Sequence, residues 1–236
     1  MTNIENDLLD AIGSARGAAA ADRLCEACLG LLDVDAAAVS LVFDGANVGT
    51  FGVSGPKARV YDELQFTMGE GPCLDSVLHR APVMVHDLAD PDEVRWPAYG
   101  PAMMAHHIRG VYAIPVVVAG EYVGALDLFR TVPDSLVPDQ IAGMVIAAQL
   151  LQLPLLDLMS EDMQAAVADP ESSAWAELNS LSRSEVSQAT GMVMAQLNAD
   201  AATALARIRA HAYACGRTAT SVARDIIDRR LRLEAH

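Results

Sequence analysis

Between residue 175 and the C-terminal end at 236, eight arginines and no lysine supply all the positive charge, against six acidic residues. Guanidinium groups form forked pairs with phosphates and stack on splayed bases, so a cluster of them suits RNA. Arg224, Arg229, Arg230 and Arg232 fall within nine residues, with Arg217 just upstream. A solvated helix face accounts for the same pattern. Asp225 to Arg229 and Asp228 to Arg232 have i,i+4 spacing, each pair worth about 0.2–0.5 kcal/mol.

Other reactive side chains give weaker signals. Cys25 and Cys28 have redox-motif spacing but lie in an Ala-rich helical segment, and no second Cys or His pair completes a zinc site. Cys73 follows Gly71-Pro72 at the start of a helix, where a thiol can acidify. It is the one candidate for redox sensing, with plain packing as the other reading. His106 and His107 point about 100° apart on a helix and cannot chelate one ion alone, and His79 and His86 are too far away to help, so no metal site is expected. There is no phosphate-binding Gly loop and no serine elbow, and the chain is not expected to be an enzyme.

The charge is unevenly spread along the 236 residues. The whole chain carries −15, yet residues 175–236 are slightly positive. An acidic body excludes an evenly basic nucleic-acid binder and a polybasic membrane anchor. Four cysteines form no disulfide framework, and the first residues lack a basic-then-apolar leader, so a reducing cytoplasm is the expected location. Gln140 to Leu156 is free of charge, but Gly143, Gln149, Gln152 and Pro154 interrupt it, and it is not read as a membrane span.

These groups need a scaffold. Apolar spacing predicts an amphipathic helix over 4–32, strands at Ala36–Phe43 and Val48–Val53, a strand at Tyr61–Thr67 and a helix at Leu74–His79. A short strand at Val83–Val85, a helix at Pro97–His107 and a hairpin of Val111–Val118 with Tyr122–Phe129 follow. The fold class is α+β with an antiparallel sheet. From Pro138 a long helix places Ile141, Met144, Ala148, Leu151, Leu155 and Leu158 at heptad spacing, with a kink expected at Pro154. Two readings of this stripe stand: a dimer seam, or a helix closing on its own sheet. Asp169–Ser173 reads as a joint. Three helices follow, over Ser173–Leu197, Ala201–Cys215 and Thr220–Leu233.

Val186-Ser187-Gln188-Ala189-Thr190-Gly191-Met192-Val193-Met194, the Leu205-Ala206-Arg207-Ile208-Arg209-Ala210-His211-Ala212 segment and Val222-Ala223-Arg224-Asp225-Ile226-Ile227 resemble the ANTAR domain of transcription antitermination regulators. Thr190 stands where many members have Lys. The body, with Gly69–Cys73, Asp87-Leu88-Ala89, Arg95-Trp96-Pro97 and Val123–Leu128, resembles a GAF domain. In this order the two resemble the actinobacterial GAF–ANTAR regulators. The resemblance implies a GAF-like sensor (1–150), a helical linker or dimer seam (138–172) and a three-helix RNA-binding output (173–236). It also implies a homodimer that engages paired RNA hairpins. Arg183, Gln188, Thr190, Arg207 and Arg209 then join Arg217, Arg224, Arg229 and Arg230 as RNA-binding candidates. Asp87, Arg95, Trp96, Tyr99, Arg109 and Asp127 are candidates to line the sensor pocket. The alternative for the aromatic pair is that Trp96 and Tyr99 cover the core while Arg95 pairs with Asp92. Neither the small-molecule or protein signal nor any cofactor can be named. The rival functional reading is a dimeric sensor or protein-interaction module without RNA binding; a second rival makes the body a Cys73 thiol reductase.

Overall fold

The computed structural model describes residues 3–158 and 183–234. Helices α1 (Asn3–Ile12) and α2 (Gly17–Leu32) replace the single helix expected over 4–32, because Gly13 takes a left-handed φ of 56° and breaks the run. Strands β1 (Ala36–Phe43) and β2 (Ala46–Val53) form the first hairpin. Next come α3 (Pro56–Met68), α4 (Pro72–His79), β3 (Val83–Val85), α5 (Tyr99–Ala105), β4 (Gly110–Val118) and β5 (Glu121–Arg130). The five strands pair antiparallel in the order β2-β1-β5-β4-β3.

The segment expected as a strand at Tyr61–Thr67 is helical. Its β-prone Val60, Tyr61, Phe66 and Thr67 are outweighed by punctuation: Pro56 occupies the first turn after Gly55, and Gly69 closes the helix with φ 70°. Ala58, Tyr61, Asp62 and Gln65 then share one buried face at helical spacing, and two of them are polar.

Alternation along the strands divides the core in two. Ala37 and Val39 of β1 and Leu126 and Leu128 of β5 face α1 and α2. Ala36, Ala38 and Val42 of β1 and Ala125 and Phe129 of β5 face α3, α4 and α5. Ser40 and Asp127 belong by alternation to the second face. Opposite Ser40, two register shifts in the β1–β2 pairing pair Thr50 with Ser40 and Asn47 with Val42. Although three residues apart, Asn47 and Thr50 are thereby turned to the same side.

The stripe from Pro138 forms α6 (Pro138–Leu150) and α7 (Gln152–Leu158). The break falls at Leu151 because the Pro154 ring has no N–H and crowds the carbonyl four residues earlier. This stretch is long and apolar enough to cross a membrane by length and composition. However, Met144, Ala147, Ala148, Leu151 and Leu155 are buried in the sheet's first core. Leu151 and Leu155 thus close the domain instead of forming an open seam, while Ile141, Leu153 and Leu156 stay exposed. The Asp169–Ser173 joint and the start of the next helix lie outside the described residues.

Three further helices, α8 (Ser184–Leu197), α9 (Ala201–Ala214) and α10 (Ala219–Ile227), enclose a core of Val186, Ala189, Val193, Ala204, Ile208, Ala212, Val222, Ala223 and Ile226. Asp200 and Thr218 cap α9 and α10 by accepting from the Thr203 and Ser221 amides. The last helix stops at Ile227, short of the expected Leu233, and Arg229 turns left-handed at φ 59°.

Truncating Leu151 to Ala should cost about 2–5 kcal/mol, the range for emptying a buried Leu site. The loss of thermal midpoint should be the same at widely different protein concentrations; a loss confined to dilute protein would restore the dimer seam.

Candidate functional site

Between the second sheet face and α3–α5 lies a buried polar chamber. Ser40, Asn47, Thr50, Asp62, Gln65 and Asp127 are each 2% exposed or less. Asp62 is its centre. Its Oδ1 accepts from the Ser40 hydroxyl and from Asn47 Nδ2 at 3.0 Å. Its Oδ2 accepts from the Thr50 hydroxyl and from Arg183 Nη2 at 3.2 Å. The same Nη2 donates to Asn47 Oδ1 at 3.0 Å.

Proton counting constrains the charge state of the cluster. Ser40 Oγ lies within hydrogen-bond distance of both Asp62 and, at 2.5 Å, Asp127 Oδ2, yet a hydroxyl has one proton to give. A proton on one carboxyl lets both contacts be hydrogen bonds. Burial first, and the Asp62 charge second, push the Asp127 acid well above its ordinary 3.8. Asp127 is then the neutral acid that donates to Ser40 Oγ, and Ser40 donates onward to Asp62.

The chamber also holds incompletely satisfied groups: Tyr99 OH has no hydrogen-bond partner, and Gln65 Nε2 and Asp127 Oδ1 lack one of good geometry although the Gln65 side chain lies close enough to hold the Asp127 carboxyl down. Gln65 cannot simply turn over, because its Oε1 accepts the Cys73 amide at 2.8 Å. Gly71 is required beside it: at φ 144°, a Cβ there would sit 2.6 Å from that oxygen. Cys73 is fully buried, and burial together with Asp127 and Asp62 raises its thiol well above 9.0. The acidifying effect expected of a helix start is overridden, which removes the basis for reading Cys73 as a reactive thiolate. Cys28 is likewise pushed up to about 12 by burial.

The chamber opens toward the C-terminal helices. Phe66 of α3 is part of the helix-bundle core. Over its ring lie two guanidinium carbons, that of Arg183 at 4.4 Å and that of Arg209 at 4.6 Å. Arg183 keeps 11% of its side chain exposed, and burial followed by the nearby Arg183 charge lowers the Arg209 pKa. Beside Phe66 on the same C-terminal half of α3, Thr67 Oγ1 accepts the Ala219 amide at 3.0 Å and Glu63 Oε1 the Thr220 amide at 3.1 Å. These are the first two amides of α10, which have no partner inside their own helix.

Arg183 and Arg209 are thus held on the sheet domain, apart from the other arginines expected to meet RNA. Arg217 binds Ser221 and, at 2.7 Å, Asp225. Arg230 pairs with Asp225 and Asp228, each at 2.8 Å, and Arg224 with Glu185 at 3.2 Å. The i,i+4 pairs Asp225–Arg229 and Asp228–Arg232 do not form, since the helix ends before either could close. Arg224, Arg229, Arg230 and Arg232 are exposed, as is Gln188, while Thr190 spends its hydroxyl on the Val186 carbonyl at 2.7 Å. Arg207 and Arg232 line a groove of about 320 Å³ with Ala210, His211, Leu233 and Glu234.

The six expected pocket residues separate. Arg109 forks onto Asp87 with two contacts of 2.8 Å. Arg95 pairs with Glu93, not Asp92, and covers the Trp96 ring at 4.5 Å. Trp96 Nε1 donates to Asp75 Oδ2 at 3.1 Å. Only Tyr99 and Asp127 reach the chamber. The sequence reading missed Ser40, Asn47, Thr50, Asp62 and Gln65; a lone Ser in the apolar run of β1 was the available signal.

Comparison with known proteins is consistent with this geometry. Residues 18–151 match the model of the GAF domain and residues 177–227 that of the ANTAR domain. No curated protein matches significantly. Among solved structures, the GAF domain of a phosphoenolpyruvate-protein phosphotransferase from Coxiella burnetii is 18% identical, with a TM-score of 0.52 over 69% of this chain and 95% of that one. This likeness is one of fold. A GAF domain of the corresponding Acinetobacter protein is 10% identical, with a TM-score of 0.47 over 67% and 95%.

Because Asp127 holds its proton in the folded state, its contribution to stability is complete below about pH 3.8 and is lost as pH rises toward its elevated folded value. Asp127→Asn mimics the protonated acid. Its thermal midpoint should equal that of the parent near pH 4 and exceed it increasingly toward pH 8; parallel curves would place the proton elsewhere.

Proposed function

From a chain that belongs to the GAF domain family and continues into an ANTAR domain, a GAF–ANTAR regulator, we propose an RNA-binding transcription antitermination protein whose sensor controls its helical output. The observation that carries this reading is the exposed arginine edge of the output: Arg224, Arg229, Arg230 and Arg232 face solvent while Val222, Ala223 and Ile226 of the same segment are buried. Such a surface offers forked contacts to phosphates and flat cations to unpaired loop bases. Asp225, held below the usual carboxylate range by Arg217 and then Arg230, keeps both guanidinium groups in place until phosphates replace it.

Paired hairpins call for two outputs, and linking two weak contacts raises affinity through effective concentration. A second copy would pack on the exposed Ile141, Leu153 and Leu156 instead of the buried Leu151 and Leu155. The chain is read as cytoplasmic, and as a regulator with no chemistry of its own. One observation favours the rival reading of a sensor without RNA binding: Glu185, Asp225 and Asp228 already neutralise Arg224, Arg217 and Arg230.

Titrating the protein against a paired-hairpin RNA and a scrambled control across salt separates the two. Selective binding should weaken steeply with salt, and Arg229→Ala/Arg230→Ala should make the slope shallower by about 1.4, at about 0.7 per lost contact to single-stranded RNA. Equal, weak binding to both RNAs would leave the rival.

A further inference from the structure

The sensor's chamber is closed by a side chain that comes from outside the sensor. Arg183 precedes α8, yet its guanidinium lies on Phe66 with Nη2 on Asp62 and Asn47. Those contacts are the recognition elements of a flat cation: an aromatic face beneath it and a carboxylate and an amide oxygen at its edge. They are also built independently of Arg183. Ser40, Thr50 and Asn47 Nδ2 hold Asp62 from within the sensor, so the acceptors remain in place when the arginine leaves.

The arginine is an incomplete ligand. Its own Nε and the Tyr99 OH are buried without a partner, and the Gln65 and Asp127 side chains lie against each other with no well-formed hydrogen bond at Nε2 or Oδ1. Gln65, Tyr99 and Asp127 have no exposed surface. Buried polar atoms of this kind are uncommon in native proteins unless something else meets them.

We infer that the chamber is a binding site for a small metabolite bearing a guanidinium or amidinium group, and that Arg183 is its built-in competitor. The free cation takes Phe66, Asp62 and Asn47, and its remaining polar atoms meet the deeper groups that Arg183 leaves incompletely satisfied. Entry expels Arg183. Among the described contacts, the bundle then keeps on α3 the Arg209 stack, its packing on Phe66 and the two amide bonds to Thr67 and Glu63, and it lifts away. The release step rests on the regulator reading above; the binding site does not.

The test uses the full chain. Arg183→Ala removes a fragment with the shape of ethylguanidinium. That compound should raise the thermal midpoint of the variant saturably, at concentrations about tenfold or more below those needed with the parent, where Arg183 competes. Ethylammonium, of equal charge, should not. Docking is read from hydrogen exchange at Ala219 and Thr220, whose amides bond only to α3. Exchange there should be about tenfold faster or more in Arg183→Ala, and should accelerate in the parent as ethylguanidinium is added. No saturable shift, or an equal shift with ethylammonium, overturns the ligand class; unchanged exchange in the variant and in the titrated parent overturns the competition. Should Arg183→Ala not fold, the parent titration alone decides both points. Neither readout involves RNA, so failure here leaves the RNA-binding reading standing, and the reverse.

Discussion

Asp62 has no exposed surface and forms an ion pair with Arg183, so its polar groups must be met where it stands. Three neutral donors from β1 and β2 help, but among the described residues the cation that reaches it is Arg183, 121 residues further along the chain. Removing one partner of a buried ion pair typically costs about 3–5 kcal/mol, because the charge left behind has no water to turn to. The sensor's interior is therefore tied electrostatically to the start of the output bundle. Asp127 remains neutral as part of the same arrangement, since two anions could not share Ser40 so far from solvent.

That link joins two bodies with separate cores. The sheet has an apolar layer on each face, and the C-terminal helices enclose their own. Among the described residues only Phe66 crosses over, a side chain of α3 that lies in the core of the C-terminal helices, and the two arginines over its ring act as cations on an aromatic face. An interface made of charge, one ring and two capping hydrogen bonds is specific without being large, and a competitor of matching charge can take it apart. It also withdraws Arg183 and Arg209 from any phosphate while leaving Arg224, Arg229, Arg230 and Arg232 outside.

Much of this was legible in local pattern. The apolar runs of β1, β4 and β5 marked the strands of the sheet, and the expected helix bounds at Cys215 and Thr220 bracketed the break before α10. What could not be read was tertiary. Helix α3 looked like a strand because Asp62 and Gln65 interrupt its buried face, and nothing near them in sequence reveals that an arginine over a hundred residues away compensates one of them. The spacing of Leu151 and Leu155 is equally good for a partner's helix and for the chain's own sheet. Arg183 and Arg209 were counted with the RNA-facing cations because charge is visible in a sequence and the ring it lies on is not.

The most direct measurement locks the docked state. A short thiol crosslink between Glu63→Cys and Thr220→Cys, in a Cys215→Ser background that removes the exposed native thiol, would hold α10 on α3. RNA affinity is then titrated across salt before and after the link is cleaved. If docking withholds Arg183 and Arg209, the locked protein should bind more weakly, with a salt slope about 1.4 shallower, and cleavage should restore both. Identical affinity and slope in the two states would contradict the idea that the sensor governs the output by holding those arginines.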